Sequence, residues 1–139
     1  MKTGTNATIG GGGFHHFAIK VKEFEACVRF YTAALGFVEK IRWGEGDGRG
    51  ILLDSGDGNY LEIFAGGSGE KPTGPMIHFA LRTNDCDAAL ERARQAGALV
   101  TMEPKDVTIP STPGPTQVRI AFCQGPGGEV IEFFQSQAL

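Results

Sequence analysis

Cysteine is scarce in this chain: Cys27, Cys86 and Cys123 are odd in number, far apart and without a CxxC pair. That excludes a disulfide framework and a zinc knuckle, and leaves buried free thiols as the expectation. No apolar run approaches the roughly 18 residues of a membrane span, so no membrane partner is expected. There is no surplus of basic charge either: 13 Lys and Arg stand against 16 Asp and Glu, a formal net charge of −3, with the basic residues scattered. Nucleic acid is therefore excluded as a partner. The opening stretch MKTGTNATIGGGG lacks the apolar core of a secretion signal, and its Gly and Thr content predicts a flexible tail over residues 1–13. A cytoplasmic protein is expected. Its 139 residues are enough for one typical domain with a real core.

What is present is an internal repeat. HFAIKVKEFEACVRFYTAALGF (16–37) aligns with HFALRTNDCDAALERARQAGAL (78–99), with a one-residue slip needed to bring Gly36 onto Gly97. Each copy opens with a short, partly alternating run of strand formers. In the first copy Phe24, Cys27, Val28, Tyr31 and Leu35 then recur at helical spacing, and Gly36 stands where a helix C-terminus takes a left-handed residue. In the second, Asn84 or Asp85 caps, Ala89, Leu90 and Ala93 form the apolar stripe, and Gly97 stops the helix. Three further strands follow each helix: 37–43, 50–54 and 60–65 in the first half, and 99–103, 117–123 and 130–135 in the second, where a long loop rich in Pro, Ser and Thr comes after the first of them. The expectation is an α+β fold of two βαβββ modules, 14–65 and 77–136, joined by a linker over 66–76. Each is too small to be stable alone, so they share one core.

YLEIFA (60–65) answers VIEFFQ (130–135), which places Glu62 and Glu132 alike in otherwise apolar last strands. Alternation along a strand puts His16, Ala18 and Lys20 on one face and Phe17, Ile19 and Val21 on the other. The same parity puts Tyr60, Glu62 and Phe64 together, then His78, Ala80 and Arg82, then Val130, Glu132 and Phe134. With the apolar partners under the helices, each module carries one His and one Glu on its open sheet face. If those faces meet in a curved mixed-sheet cup, helices outside, the four side chains converge. Two nitrogens and two carboxylate oxygens suit a divalent ion: Zn, Ni, Co, Fe or Mn. His15, one residue off, is expected on the helix side. Lys20 and Arg82 share the open face and are candidates for holding an anionic substrate.

Taken with these residues, the chain resembles the vicinal oxygen chelate superfamily: glyoxalase I, methylmalonyl-CoA epimerase, extradiol dioxygenases, fosfomycin-resistance enzymes and bleomycin-binding proteins. The resemblance runs from about residue 14 to 136 and is carried by HFAIKVKEFEACVRFYTAALGF and GPGGEVIEFFQ. It implies paired βαβββ modules around a divalent metal, with His16, Glu62, His78 and Glu132 at the positions of the glyoxalase I ligands. Extradiol dioxygenases use two His and one Glu, the bleomycin-binding members lack ligands, and the epimerase usually has Gln in the place of Glu62. The full set here lies nearest to glyoxalase I. In two places the chain departs from it: the positions that hold glutathione in glyoxalase I, commonly Arg and Asn, are Lys20 and Gly66.

What the resemblance implies is a metal-dependent lyase or isomerase, similar to lactoylglutathione lyase but of doubtful glutathione dependence. It would move a proton on a carbon beside a carbonyl of a small substrate. Glu132 is the first candidate for the base and Glu62 the second. Trp43, Tyr60, Phe64, Phe79 and Phe122 are candidates for the apolar wall of the site. The alternatives are an acyl-CoA epimerase, a dioxygenase of the same superfamily, or a binding protein without chemistry. A homodimer is expected, with modules paired within a chain or exchanged between two.

Overall fold

A computed structural model of the chain describes residues 5–10, 14–70, 74, 76–111 and 113–139. Most of the expected N-terminal tail and part of the linker lie outside those residues. The first module runs β1 (His16–Lys20), α1 (Phe24–Arg29) with a π-helical turn over Phe30–Ala34, β2 (Val38–Trp43), β3 (Gly50–Asp54) and β4 (Tyr60–Phe64). The second runs β5 (Phe79–Arg82), α2 (Cys86–Gln95), β6 (Leu99–Ile109), β7 (Thr116–Gln124) and β8 (Val130–Gln135). Each forms a four-stranded mixed sheet, ordered β1-β4-β3-β2 and β5-β8-β7-β6, in which the first strand runs parallel to the last. The fold is α+β, as the repeat implies.

The π turn accounts for the one-residue slip between the copies. Gly36 sits 12 positions after the first residue of α1 and Gly97 sits 11 after that of α2, and a π turn houses one residue more than an α turn. Both glycines have positive φ, +74° and +94°, and so end their helices as the sequence implies. Asp85 caps α2, its carboxylate accepting from the Ala88 N–H.

The loop expected after residue 103 is mostly strand. β6 continues to Ile109 and β7 begins at Thr116. Exposure alternates along β6 through Pro104 and slips by one residue at Lys105 and Asp106, beside the second of two register shifts in its ladder with β7, between Val100 and Met102 and between Met102 and Lys105.

One core serves both modules. Tyr31, Ile51, Leu53 and Ile63 of the first and Leu90, Ala121, Cys123 and Ile131 of the second are fully buried in a single apolar cluster. The modules are also tied by polar contact. The Tyr31 hydroxyl donates to Glu129 Oε1 at 2.8 Å, and Glu129 Oε2 accepts from the Gly127 N–H at 3.0 Å. Burial pushes the Glu129 carboxyl up, against the pull of these donors, and pushes the Tyr31 phenol well up, which keeps it a donor. The three cysteines are buried and free as expected, with the Cys86 and Cys123 thiols pushed up to about 11 by burial.

Register also exposes a match that the sequence did not advertise. Glu62 pairs with Leu52 and Glu132 with Phe122, so Arg49 corresponds to Arg119. Each arginine reaches the acidic second residue of its own module's helix, Glu25 at 3.4 Å and Asp87 at 2.6 Å.

Candidate functional site

The parity argument holds in both modules. Along β1 the side chains alternate exposed and half-buried, with His16, Ala18 and Lys20 outward. Along β4, Leu61 and Ile63 are buried beneath the sheet while Tyr60, Glu62 and Phe64 line the open face. Parallel pairing of the first strand with the last then puts histidine beside glutamate. His16 Nε2 lies 2.9 Å from Glu62 Oε2, and His78 Nε2 lies 3.0 Å from Glu132 Oε2. Glu132 is buried, and that burial pushes its carboxyl up, with His78 drawing it partly back.

What the fold does not do is bring the two pairs together. Among the described residues no group of three or more His, Cys, Asp or Glu is placed to hold one ion. The modules of one chain meet on the opposite side of their sheets. Phe17 and Phe79, which point away from the neighbouring histidines, stack with centroids 6.4 Å apart. Of the two arrangements expected, modules paired within one chain or exchanged between two, the first leaves the four donors as two separate His–Glu pairs, each with one nitrogen and one carboxylate. Phe79 likewise leaves the expected wall for the module junction.

Phe122 meets the His78 ring edge-on at 5.3 Å, and Trp43 meets Phe64 edge-on at 6.0 Å. Trp43 lies over Gly50, where an added Cβ would collide with the indole. Lys20 and Arg82 are both exposed at the ends of their strands. Gly66 has φ +81°, and a Cβ there would meet the Asp47 carbonyl at 3.2 Å and Lys20 Cε at 3.6 Å. The turn over Gly46–Gly48 thus closes on that position and leaves little room for a longer side chain.

His15 is the residue misjudged from sequence. It precedes β1, so the strand's alternation does not govern it, and its ring lies beside the pair: Nδ1 is 3.0 Å from His16 Nδ1, and the ring centroid is 5.2 Å from that of Tyr60. A separate groove of about 930 Å³ runs between the modules, lined in part by Phe17, Tyr60, Phe79, Arg82 and Phe134, and none of the paired His and Glu residues reaches it.

The family model for the glyoxalase/bleomycin resistance protein/dioxygenase superfamily matches residues 13–133. The chain belongs to this superfamily. YwbC of Bacillus subtilis (strain 168) is 32% identical over 125 residues, covering 86% of this chain and 94% of YwbC. Among solved structures, TnmS3, an antibiotic binding protein from Streptomyces sp. CB03234, superposes with a TM-score of 0.68 at 26% identity, over 92% of this chain and 98% of TnmS3. A glyoxalase I mutant from Zea mays has the same fold, with a TM-score of 0.68 at 22% identity over 87% of this chain and 43% of its own. The superfamily thus holds both enzymes and binding proteins, and the half-sites must decide between them.

Proposed function

We propose that this superfamily member is a divalent-metal enzyme of the lyase or isomerase type. It would move a proton on a carbon beside a carbonyl of a small oxygen-chelating substrate, as lactoylglutathione lyase does. The observation that carries this is the His–Glu pair repeated in the same register in both modules, 2.9 and 3.0 Å between donor atoms. Those separations fit two neighbouring corners of an octahedron with bonds of about 2.1 Å, and imidazole with carboxylate suits Zn, Ni, Co, Fe or Mn. A complete set of four donors needs both kinds of pair, which one chain keeps apart. The working unit is therefore a homodimer, with the first-module pair of one protomer beside the second-module pair of its partner.

When bound there, a divalent ion supplies Lewis-acid polarisation of the substrate oxygens. The chain's own groups do the rest. Glu132, buried and with its carboxyl pushed up by that burial, is the first candidate to take and return the proton, with Glu62 the second. Phe122, Trp43, Phe64 and Tyr60 shield the faces from water. Lys20 and Arg82 attract an anionic part of the substrate. The closed turn at Gly66 argues against a glutathione contact there.

The groove between the modules and the similarity to TnmS3 favour a second reading, a small-molecule binding protein without chemistry. The deciding experiment is elemental analysis of the purified protein beside the variant His16→Ala, Glu62→Ala, His78→Ala, Glu132→Ala. About one divalent ion per chain, lost in the variant, supports the enzyme. Protein that holds no metal and cannot be loaded gives the binding reading the field.

A further inference from the structure

The two halves differ where they meet. Phe17 and Phe79 hold equivalent places in the repeat and stack on each other, so the junction has two flanks that strict repetition would make alike. On one flank residues 96–98, at the end of α2, face Ala26, Arg29 and Phe30 of the first helix and its π turn. On the other, residues 33–37, at the end of that turn, face Ala89 and Arg92 of α2. Phe30 and Arg92 occupy the same place in the two copies. Phe30 is buried, edge-on to Tyr31 at 5.1 Å, and its flank keeps only a hollow of about 340 Å³. Arg92 is exposed instead, and its flank is the groove of about 930 Å³.

That groove combines apolar surface with two cations. Three of its phenyl rings run in series: Phe14 packs on Phe17 with centroids 5.3 Å apart and planes tilted by 36°, and Phe17 stacks on Phe79 at 6.4 Å and 22°. Phe14 is 75% exposed, so the series offers an uncovered aromatic face. Arg82 and Arg92 also line the groove. Neither guanidinium enters an ion pair among the described residues, whereas Arg42, Arg49, Arg94 and Arg119 each do. Asp57, the acidic side chain among the described lining residues, is already held by the Ser55 hydroxyl and the Asn59 N–H at 3.0 and 2.9 Å. A guanidinium fork matches a carboxylate, and phenyl faces take flat rings. The volume lies toward the upper end of the roughly 300–1,000 Å³ of small-molecule sites, enough for a polycyclic ligand.

We propose that this groove binds a flat aromatic carboxylate, its rings against the phenyl series and its carboxylate on Arg92, with Arg82 in support. The site is separate from the His–Glu pairs, none of which lines it, and it needs no metal. The test is fluorescence titration of anthracene-2-carboxylate with the full-length, chelator-treated protein, beside anthracene-2-methanol as the uncharged probe. The expected result is saturable binding of about one carboxylate per chain, with the alcohol about tenfold weaker, the order of one charge-assisted contact. Because Arg92 is exposed, it can be replaced without disturbing the core. Arg92→Gln should weaken the carboxylate about tenfold and leave the alcohol unchanged. Arg92→Phe, which gives this place the first module's residue, should fill the groove and abolish binding of both probes. The variant His16→Ala, Glu62→Ala, His78→Ala, Glu132→Ala should bind both as wild type does. Equal affinity for the two probes, or carboxylate binding that survives Arg92→Phe, overturns the proposal. Binding lost in the variant without the paired residues also overturns it, because the probe would then sit on the open sheet faces. Wild-type protein that binds neither probe overturns it as well and leaves the metal reading untouched.

Discussion

Removing a single hydroxyl tests how the two modules are held together. In Tyr31→Phe the ring keeps its contacts with Phe30 and Phe37, at 5.1 and 5.3 Å, and only the donor to Glu129 Oε1 is lost. Hydrogen bonds to charged groups contribute about 1.5–3 kcal/mol, and the buried carboxylate would retain the Gly127 N–H. We expect a loss of about 2 kcal/mol near neutral pH. With a urea m-value of about 2 kcal/mol/M, the unfolding midpoint should fall by about 1 M. The pH dependence sharpens the test. The folded-state value of Glu129 is raised by burial, so the native state binds this proton more tightly than the unfolded state does. Its contribution is therefore most favourable in acid and is lost as pH rises from the ordinary carboxylate range through the raised value. Taking away the Tyr31 donor raises that value further, so the variant should lose more stability at pH 7.5 than at pH 4. A variant within about 0.3 kcal/mol of wild type, or a loss greater in acid than at neutrality, refutes the reasoning.

Glu132→Gln should keep much of the metal, since an amide oxygen can still ligate, but lose most isomerase activity on aldehyde-thiol adducts; retained turnover would remove Glu132 as the base. The exchanged-module arrangement is tested by mixing two inactive proteins, His16→Ala with Glu62→Ala and His78→Ala with Glu132→Ala, after dissociation and reassociation. Exchange between chains restores one intact site per heterodimer, detectable as bound metal, whereas sites within a chain restore none. Gly50→Ala should displace Trp43, the one tryptophan, and red-shift its fluorescence. Because Trp43 is at the surface and can swing outward, the cost should lie at the low end of the roughly 1–3 kcal/mol for overpacking. Unchanged emission would show that the indole does not rest on Gly50.

Most of the secondary structure and the composition of each half-site could be read from the chain alone, because both are local. A strand's two-residue period assigns His16, Glu62, His78 and Glu132 to faces once the strands are recognised, and the repeat of HFAIKV in HFALRT supplies that recognition. β6 was cut short because Pro104 and the Pro, Ser and Thr that follow resemble a loop, whereas the ladder with β7 accommodates Pro104 at a shift of register and β6 ends at Ile109, before that later run. His15 was misplaced because parity was carried one residue beyond the strand, where the pleat no longer holds the side chain. The one-residue slip was visible, but its cause, a π turn, depends on how α1 packs. Which faces of the modules meet could not be inferred from any period. It depends on contacts such as Tyr31 with Glu129, 98 residues apart, and Phe17 with Phe79, made only when two sheets pack into a common core. Local alternation thus assigned the donors to faces, and the packing of one module on the other set the two His–Glu pairs apart within the chain.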